Sequence, residues 1–271
     1  MSEEKAPPKE TVKLSPSIAK VLLEHTPKHA WQAHRLLGGG SGKSTEATMD
    51  GRILESIILG LDTLEVVPYD SWRSDKSKEA RAAAQAAGKL AVLQTDFQEY
   101  ADAGMMMKAN LEAVGVEFVG GKAQQEIIWT DRNQLAGPVE CKAVLDYLIL
   151  PGAGYIIIDL KCVNDASPKA LTIAVTNYGW DTQAAAYIEA VEATHPELAG
   201  RGRYILAAVE KDKPFCANPR EFSGAFLAMG RMKWEKAKSI WAPCLALNHW
   251  PGYQAGTIEP LPWQITQAEA L

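Results

Sequence analysis

The stretch Tyr155-Ile156-Ile157-Ile158-Asp159-Leu160-Lys161-Cys162-Val163 decides the reading of this chain. Its apolar, β-branched composition predicts a strand, whose side chains alternate between two faces. Tyr155, Ile157, Asp159, Lys161 and Val163 then share one side, and Ile156, Ile158, Leu160 and Cys162 the other. Asp159 and Lys161 therefore project together, about 6.6 Å apart along the strand. Pro151-Gly152-Ala153-Gly154 is a tight turn back to a preceding strand, Val139 to Leu150, where the same alternation groups Glu140, Lys142, Val144, Asp146 and Leu148. Across such a hairpin Asp146 comes close to Asp159. Two carboxylates and an ammonium meeting at the end of an apolar sheet are costly unless a cation is shared among them. The grouping suits phosphodiester hydrolysis, because a hard divalent cation binds carboxylate oxygen, lowers the pKa of a bound water and neutralises charge on the phosphate. Lys161 then orients or deprotonates the attacking water, or stabilises the developing charge, and the Leu160 carbonyl is a further ligand candidate.

The surrounding segments predict helices on either side of gathered strands. Ser15-Pro16 and Thr26-Pro27 each give a capping residue followed by proline, so two short helices open the fold after a charged leader, residues 1–13. Asp50 is expected to cap a helix through Leu59, within which Glu55 stands among apolar neighbours. Ser77 to Lys89 and Asp96 to Val114 read as further helices, with Met105, Met106 and Met107 as core filler. Glu126 to Trp129 and Arg203 to Val209 read as strands, and Asp181 to Ala193 and Pro219 to Ile240 as helices, before a turn-rich tail from Pro251. The expectation is one α/β (α+β) domain over residues 14–271, a central mixed β-sheet flanked by helices.

The spacing Asp146, twelve residues, Asp159-Leu160-Lys161 resembles the PD-(D/E)XK nuclease motif, with Leu145 where a proline usually precedes the first aspartate. Gly51-Arg52-Ile53-Leu54-Glu55 resembles that family's opening-helix motif, GxxxE or GxxxH, which places Glu55 at the metal. Gln183-Ala184-Ala185-Ala186-Tyr187 resembles the QxxxY motif of RecB-type and lambda-type exonucleases, and positions i and i+4 share a helix face. The order of LSPSIAKVLL, EIIWTD, GWDTQAAAY and WPGY over roughly residues 14–255 is similar to phage-encoded RecE-like exonucleases.

That resemblance implies a restriction-endonuclease-like core and a catalytic set of Glu55, Asp146, Asp159, Lys161, Gln183 and Tyr187. It implies Mg²⁺, with Mn²⁺ substituting, held by Glu55, Asp146, Asp159 and the carbonyl of Leu160. Ser15, Ser17, Lys142, Gln183 and Tyr187 are the DNA-contact candidates. The implied activity is digestion of linear double-stranded DNA from the 5′ end by a homo-oligomeric ring, leaving a 3′ strand for a RecT-like annealing protein. An endonuclease or single-strand nuclease on the same scaffold, or a catalytically silent DNA-binding module, are the alternatives.

The bulk numbers bound these expectations. A net charge of -5 gives no global sign of nucleic-acid binding, so DNA affinity has to come from a local basic groove. Arg201, Arg203, Lys211, Lys213, Arg220, Arg231 and Lys233 are the wider basic candidates, most of them expected to be merely solvated. Cys141, Cys162, Cys216 and Cys244 form no CxxC pair, so reduced thiols, no iron-sulfur cluster and a cytoplasmic location, bacterial or in a phage-infected host, are expected. No apolar run reaches the roughly 18 residues of a membrane span. Gly42-Lys43-Ser44 ends like a phosphate loop, but Leu37 replaces the required first glycine and no strand precedes it, so no nucleotide is expected.

Overall fold

The computed structural model describes residues 10–40 and 46–270, with backbone alone for 46–48. The Gly42-Lys43-Ser44 segment and residues 1–9 of the expected leader lie outside the described residues. Helix α1 (Pro16–Glu24) starts where the Ser15 side chain accepts a hydrogen bond from the Ile18 amide, with Pro16 at its first position. Helix α2 (Pro27–Ala33) also has its proline at the first position, but Thr26 does not cap it as expected, because its hydroxyl pairs with His29 Nδ1 at 2.8 Å. Helix α3 (Glu46–Leu59) begins a turn before Asp50, which lies inside the helix and does not cap it.

Next comes an excursion of which the sequence pattern revealed the helix but not the two strands. Strands β1 (Leu64–Val67) and β2 (Leu90–Leu93) pair in parallel around helix α4 (Asp75–Ala86), capped by Ser74. Helix α5 (Gln94–Ala113) then returns to the main body. Of its three methionines only Met107 fills the core, whereas Met105 and Met106 are exposed.

The main sheet runs β3 (Lys122–Asp131), β4 (Val139–Ile149), β5 (Tyr155–Val163), β6 (Gly202–Glu210) and β7 (Ala217–Glu221), in that spatial order. The β5–β6 pair is parallel and the others antiparallel. The parallel pair needs a crossover. It is supplied by α6 (Pro168–Tyr178) and α7 (Trp180–Thr194), joined at Gly179, whose left-handed conformation ends one helix and starts the next. Pro219, expected to open the last long helix, sits in β7 at the sheet edge, where its missing amide costs least. That helix, α8, starts later at Gly224, capped by Ser223, and runs to Leu247. Within the tail a further helix forms, α9 (Pro262–Glu269), with no buried residue.

Helices cover both faces of this mixed sheet, the expected arrangement. Ile157, Leu145, Trp129 and Leu206 meet α1, α7 and α8 on one side, while Ile158, Tyr147 and Val209 meet Leu54, Ile58, Met107 and Leu111 from α3 and α5 on the other. The alternation read in β5 holds, since Tyr155 and Ile157 join the first core and Ile156, Ile158, Leu160 and Cys162 the second. In β4 it does not hold throughout. Val139, Cys141, Ala143 and Leu145 face the first core, yet so does Leu148, while Tyr147 and Ile149 face the second. The faces exchange at Asp146, so Leu148 does not share a side with Lys142 and Val144 as strict alternation predicted. No helix among the described residues is long and apolar enough to cross a membrane.

Helix α7 is pinned from outside. Asp181 is fully buried and pairs with Lys233 of α8 at 2.6 Å. Lys238, also in α8, is buried against Asp131 at 2.7 Å and Glu189 of α7 at 2.9 Å. The two helices approach so closely that a Cβ on Gly230 would lie 2.0 Å from the Asp181 carbonyl oxygen. Gly230→Ala is therefore expected to push α7 and α8 apart and cost about 1–3 kcal/mol. A urea titration reads this as a lowered unfolding midpoint with an unchanged slope.

Candidate active site

Strands β4 and β5 form a short ladder, Ile149↔Ile156, Leu148↔Ile157 and Tyr147↔Ile158, and then part. The next facing positions are Asp146 and Asp159. Here the Asp146 carboxylate replaces the missing ladder, its Oδ2 accepting from the Leu160 amide at 2.8 Å. Asp159 is fully buried, and its Oδ1 accepts from Gln183 Nε2 at 3.0 Å. Lys161 Nζ lies 2.6 Å from Asp159 Oδ2. Gln183 Nε2 also donates to the Tyr187 hydroxyl at 2.7 Å, as one turn of α7 requires.

Glu55 reaches the same point from α3, lining one cavity with Asp146 and Lys161, and is held by the side-chain amide of Gln124. Gln124 stands opposite Asp146 in the β3–β4 register, between the Ala123↔Tyr147 and Gln125↔Leu145 pairs. Its φ of 49° is a left-handed conformation unusual for a residue with a Cβ. Sequence reading missed Gln124, since nothing local marks a contact 69 positions away. It missed Tyr204 as well. That buried phenol neighbours Asp159, yet neither its hydroxyl nor Asp159 Oδ2 has a hydrogen bond of good geometry. The contact of Lys161 with that oxygen is an ion pair at short range and does not satisfy it directionally.

Two adjoining cavities share Lys161. One, of about 260 Å³, is lined by Glu55, Asp146, Leu160 and Lys161 together with Gly51 and Arg52. The other, of about 470 Å³, is lined by Ser15, Ser17, Lys142, Lys161, Gln183 and Tyr187 among others. Every site residue expected from sequence thus borders this place, Asp159 from beneath. Ser15 also caps α1 and contacts Ser17, and Lys142 is tied to Glu126 at 2.6 Å. The wider basic candidates line neither cavity, and Arg203, Lys213 and Lys233 are paired to Glu221, Glu99 and Asp181.

The profile of the PDDEXK-like domain of unknown function, DUF3799, matches residues 45–261. The chain belongs to this family. The PDDEXK-like fold places it among the nuclease-type hydrolases. No match was found among curated protein sequences. Among solved structures, a Eubacterium rectale protein provisionally assigned as an exonuclease superposes with a TM-score of 0.59 at 13% identity, covering 99% of this chain and 98% of that one. An alkaline exonuclease from Laribacter hongkongensis aligns over 82% of this chain and 93% of its own at 12% identity, with a TM-score of 0.26, too low to add to the argument.

The electrostatics of this candidate site are unbalanced, with the carboxyls of Glu55, Asp146 and Asp159 beside the Lys161 ammonium. Burial, then the Asp159 carboxylate, pushes Asp146 well above the ordinary carboxylate range. Burial likewise raises Glu55, with Lys161 opposing. Burial works against the Lys161 ammonium, but Asp159 and Asp146 outweigh it and hold Lys161 above its usual value. Burial and the nearby Asp159 keep the Tyr187 and Tyr204 phenols neutral. No three His, Cys, Asp or Glu side chains among the described residues stand in ready-made metal-cage spacing. The donor chemistry still fits a hard divalent cation, because a buried carboxylate oxygen without a directional partner adjoins carboxyls that resist ionising alone.

With its pKa raised, Asp146 holds a proton in the folded chain over a pH window where the unfolded chain has lost it. Stability therefore falls as pH rises through that window. In a chelator-treated sample Asp146→Asn, whose side-chain oxygen can still accept from the Leu160 amide, is expected to melt higher than wild type near pH ~7. The gap closes on acidification, because wild type takes up the proton itself. Differential scanning calorimetry across pH measures both, and a variant that melts lower at every pH contradicts the expectation.

Proposed function

We propose that the chain is a Mg²⁺-dependent exonuclease that shortens linear double-stranded DNA from the 5′ end and leaves a 3′ single strand for an annealing protein of the RecT type. In the same reading it works in the bacterial or phage-infected cytoplasm as a homo-oligomeric ring. One observation carries the hydrolytic part: Asp146 and Asp159 face each other where β4 and β5 part, with Lys161 2.6 Å from Asp159. The exonuclease part draws on the Gln183–Tyr187 pair of QxxxY type and on the assignment of the Eubacterium rectale protein, which shares the fold over its whole length.

Asp146, Asp159, Glu55 and the Leu160 carbonyl would hold the metal, with Mn²⁺ able to substitute. When bound, Mg²⁺ supplies charge neutralisation at the phosphate and acidifies a water. The remaining work belongs to the chain. Lys161 donates toward the attacked phosphate and the attacking water, offsetting charge that grows in the transition state. Gln183 holds the Asp159 carboxylate in one orientation and is itself steadied by Tyr187. Buried Tyr204 closes the floor behind Asp159 and excludes water from it.

The test is digestion of linear duplex bearing a 5′ phosphate, alongside covalently closed circles, with Mg²⁺ or with chelator. Linear DNA alone is expected to be degraded, only with the metal, and Lys161→Ala to lower kcat by about 10²–10³-fold. Mg²⁺ is expected to raise the melting temperature of wild type through binding to the folded state. Cleavage of closed circles would make the protein an endonuclease, and full activity in Lys161→Ala would move the site elsewhere. Binding of DNA without hydrolysis under any metal would leave a silent binding module.

A further inference from the structure

Tyr178 ends α6 and Trp180 begins α7, with Gly179 between them at φ 69°. This left-handed turn places the two rings in a stack, centroids 5.3 Å apart and planes inclined by 28°. A side chain at 179 would be strained by that φ, its Cβ meeting the stem of Lys20 at 3.4 Å. Trp180 packs partly against the core, but Tyr178 is 59% exposed, so its ring gives the fold little. Both rings wall the larger of the two cavities at Lys161. Lys161 Nζ lies 5.9 Å from the centroid of Trp180 and Lys20 Nζ 5.6 Å from that of Tyr178. The cavity wall holds three lysines and no carboxylate, in a chain of net charge -5. The acids that share charge with two of these lysines, Glu24 and Glu126, stand outside that wall.

We propose that the Tyr178–Trp180 stack is a platform for a base with a free face at the end of the DNA strand whose phosphate lies at Lys161. The inference rests on the nuclease reading above. Every base presents a π-face, so stacking on an exposed aromatic is tolerant of sequence. Inside a continuous duplex both faces of each base are covered by neighbours. Only a terminal or unpaired base can use the platform, and lysines on either side draw its flanking phosphates in. The stack thereby recognises an end and makes no choice of base.

The experiment compares wild type, Tyr178→Ala and Tyr178→Phe on linear duplex with either a normal or an abasic terminal nucleotide. It reads KM with Mg²⁺, and also binding with chelator by the anisotropy of a dye at the far end. Tyr178→Ala is expected to weaken binding and raise KM about tenfold, equivalent to about 1.4 kcal/mol, and Tyr178→Phe to restore both. The abasic end is expected to cost wild type a similar factor and Tyr178→Ala nothing further, because the interaction is already gone. A ring that only caps the α6–α7 turn predicts a lower melting temperature and the full abasic penalty in Tyr178→Ala, which overturns the platform. So does a wild type that cuts DNA yet ignores the abasic end, a comparison that needs no variant. A wild type that neither binds nor cuts DNA overturns the nuclease reading together with the platform.

Discussion

The parting of β4 from β5 beyond the Tyr147↔Ile158 pair is the constraint on which the site depends. Leaving a sheet ladder exposes amides and carbonyls that need partners, and each unpaired buried group costs about 1–3 kcal/mol. Two substitutes meet that need. The Asp146 carboxylate takes the Leu160 amide on the β5 side. On the β4 side, Leu14 inserts as a one-residue strand, donating to the Glu140 carbonyl at 2.8 Å and accepting from the Lys142 amide at 2.9 Å. The same insertion seats the start of α1, and with it Ser15 and Ser17, beside the opening. A gap in the sheet thus becomes a cleft with a built rim, and Asp146 serves both the backbone and the site.

The cleft is electrostatically expensive. Asp159 is fully buried with an ammonium on one oxygen and an amide on the other, and a buried pair of this kind seldom repays its desolvation. Stability has to come from elsewhere, and the back of α7 shows where. Ala184, Ala185 and Ala186 are all buried in the first core, and the small side chain of Ala185 lets α8 approach at Gly230. Lys233–Asp181 and the Lys238 cluster lock the helix against α8 and β3. Gln183 on the opposite face therefore meets Asp159 from a rigid support, which suits the orienting role proposed for it.

What could be read from sequence was what repeats at short range. Alternation in β5 and the i, i+4 spacing of Gln183 and Tyr187 are properties of a single element, and the structure shows both. The exchange of faces in β4 was hidden, because Val144, Asp146 and Leu148 look like a regular strand until Gln124 opposite adopts a left-handed conformation. Strands β1 and β2, four residues each, are too short to outweigh their polar surroundings. Pro219 argues for a helix start as well as for an edge strand, and only pairing with Ala207 decides between them. Tyr204 reads as one more apolar position in a buried parallel strand. Its neighbour Asp159 stands on the adjacent strand, and no local pattern announces a contact across the sheet.

Charge distribution explains how an acidic chain can meet a polyanion in the proposed function. The net charge of -5 gives no long-range attraction, and Glu55, Asp146 and Asp159 add local repulsion. The structure gathers Glu55 and Asp146, with Arg52, in one cavity and lysines without a carboxylate in the adjoining one, with Lys161 on the shared wall. A phosphate drawn into the lysine-lined cavity reaches that wall without crossing the carboxylates. At the wall it would still feel them, and a divalent cation held by Glu55, Asp146 and Asp159 would offset their charge. In the proposed function metal and DNA would each favour the other's binding, and the reciprocity is a thermodynamic necessity, since a single coupling free energy describes both effects.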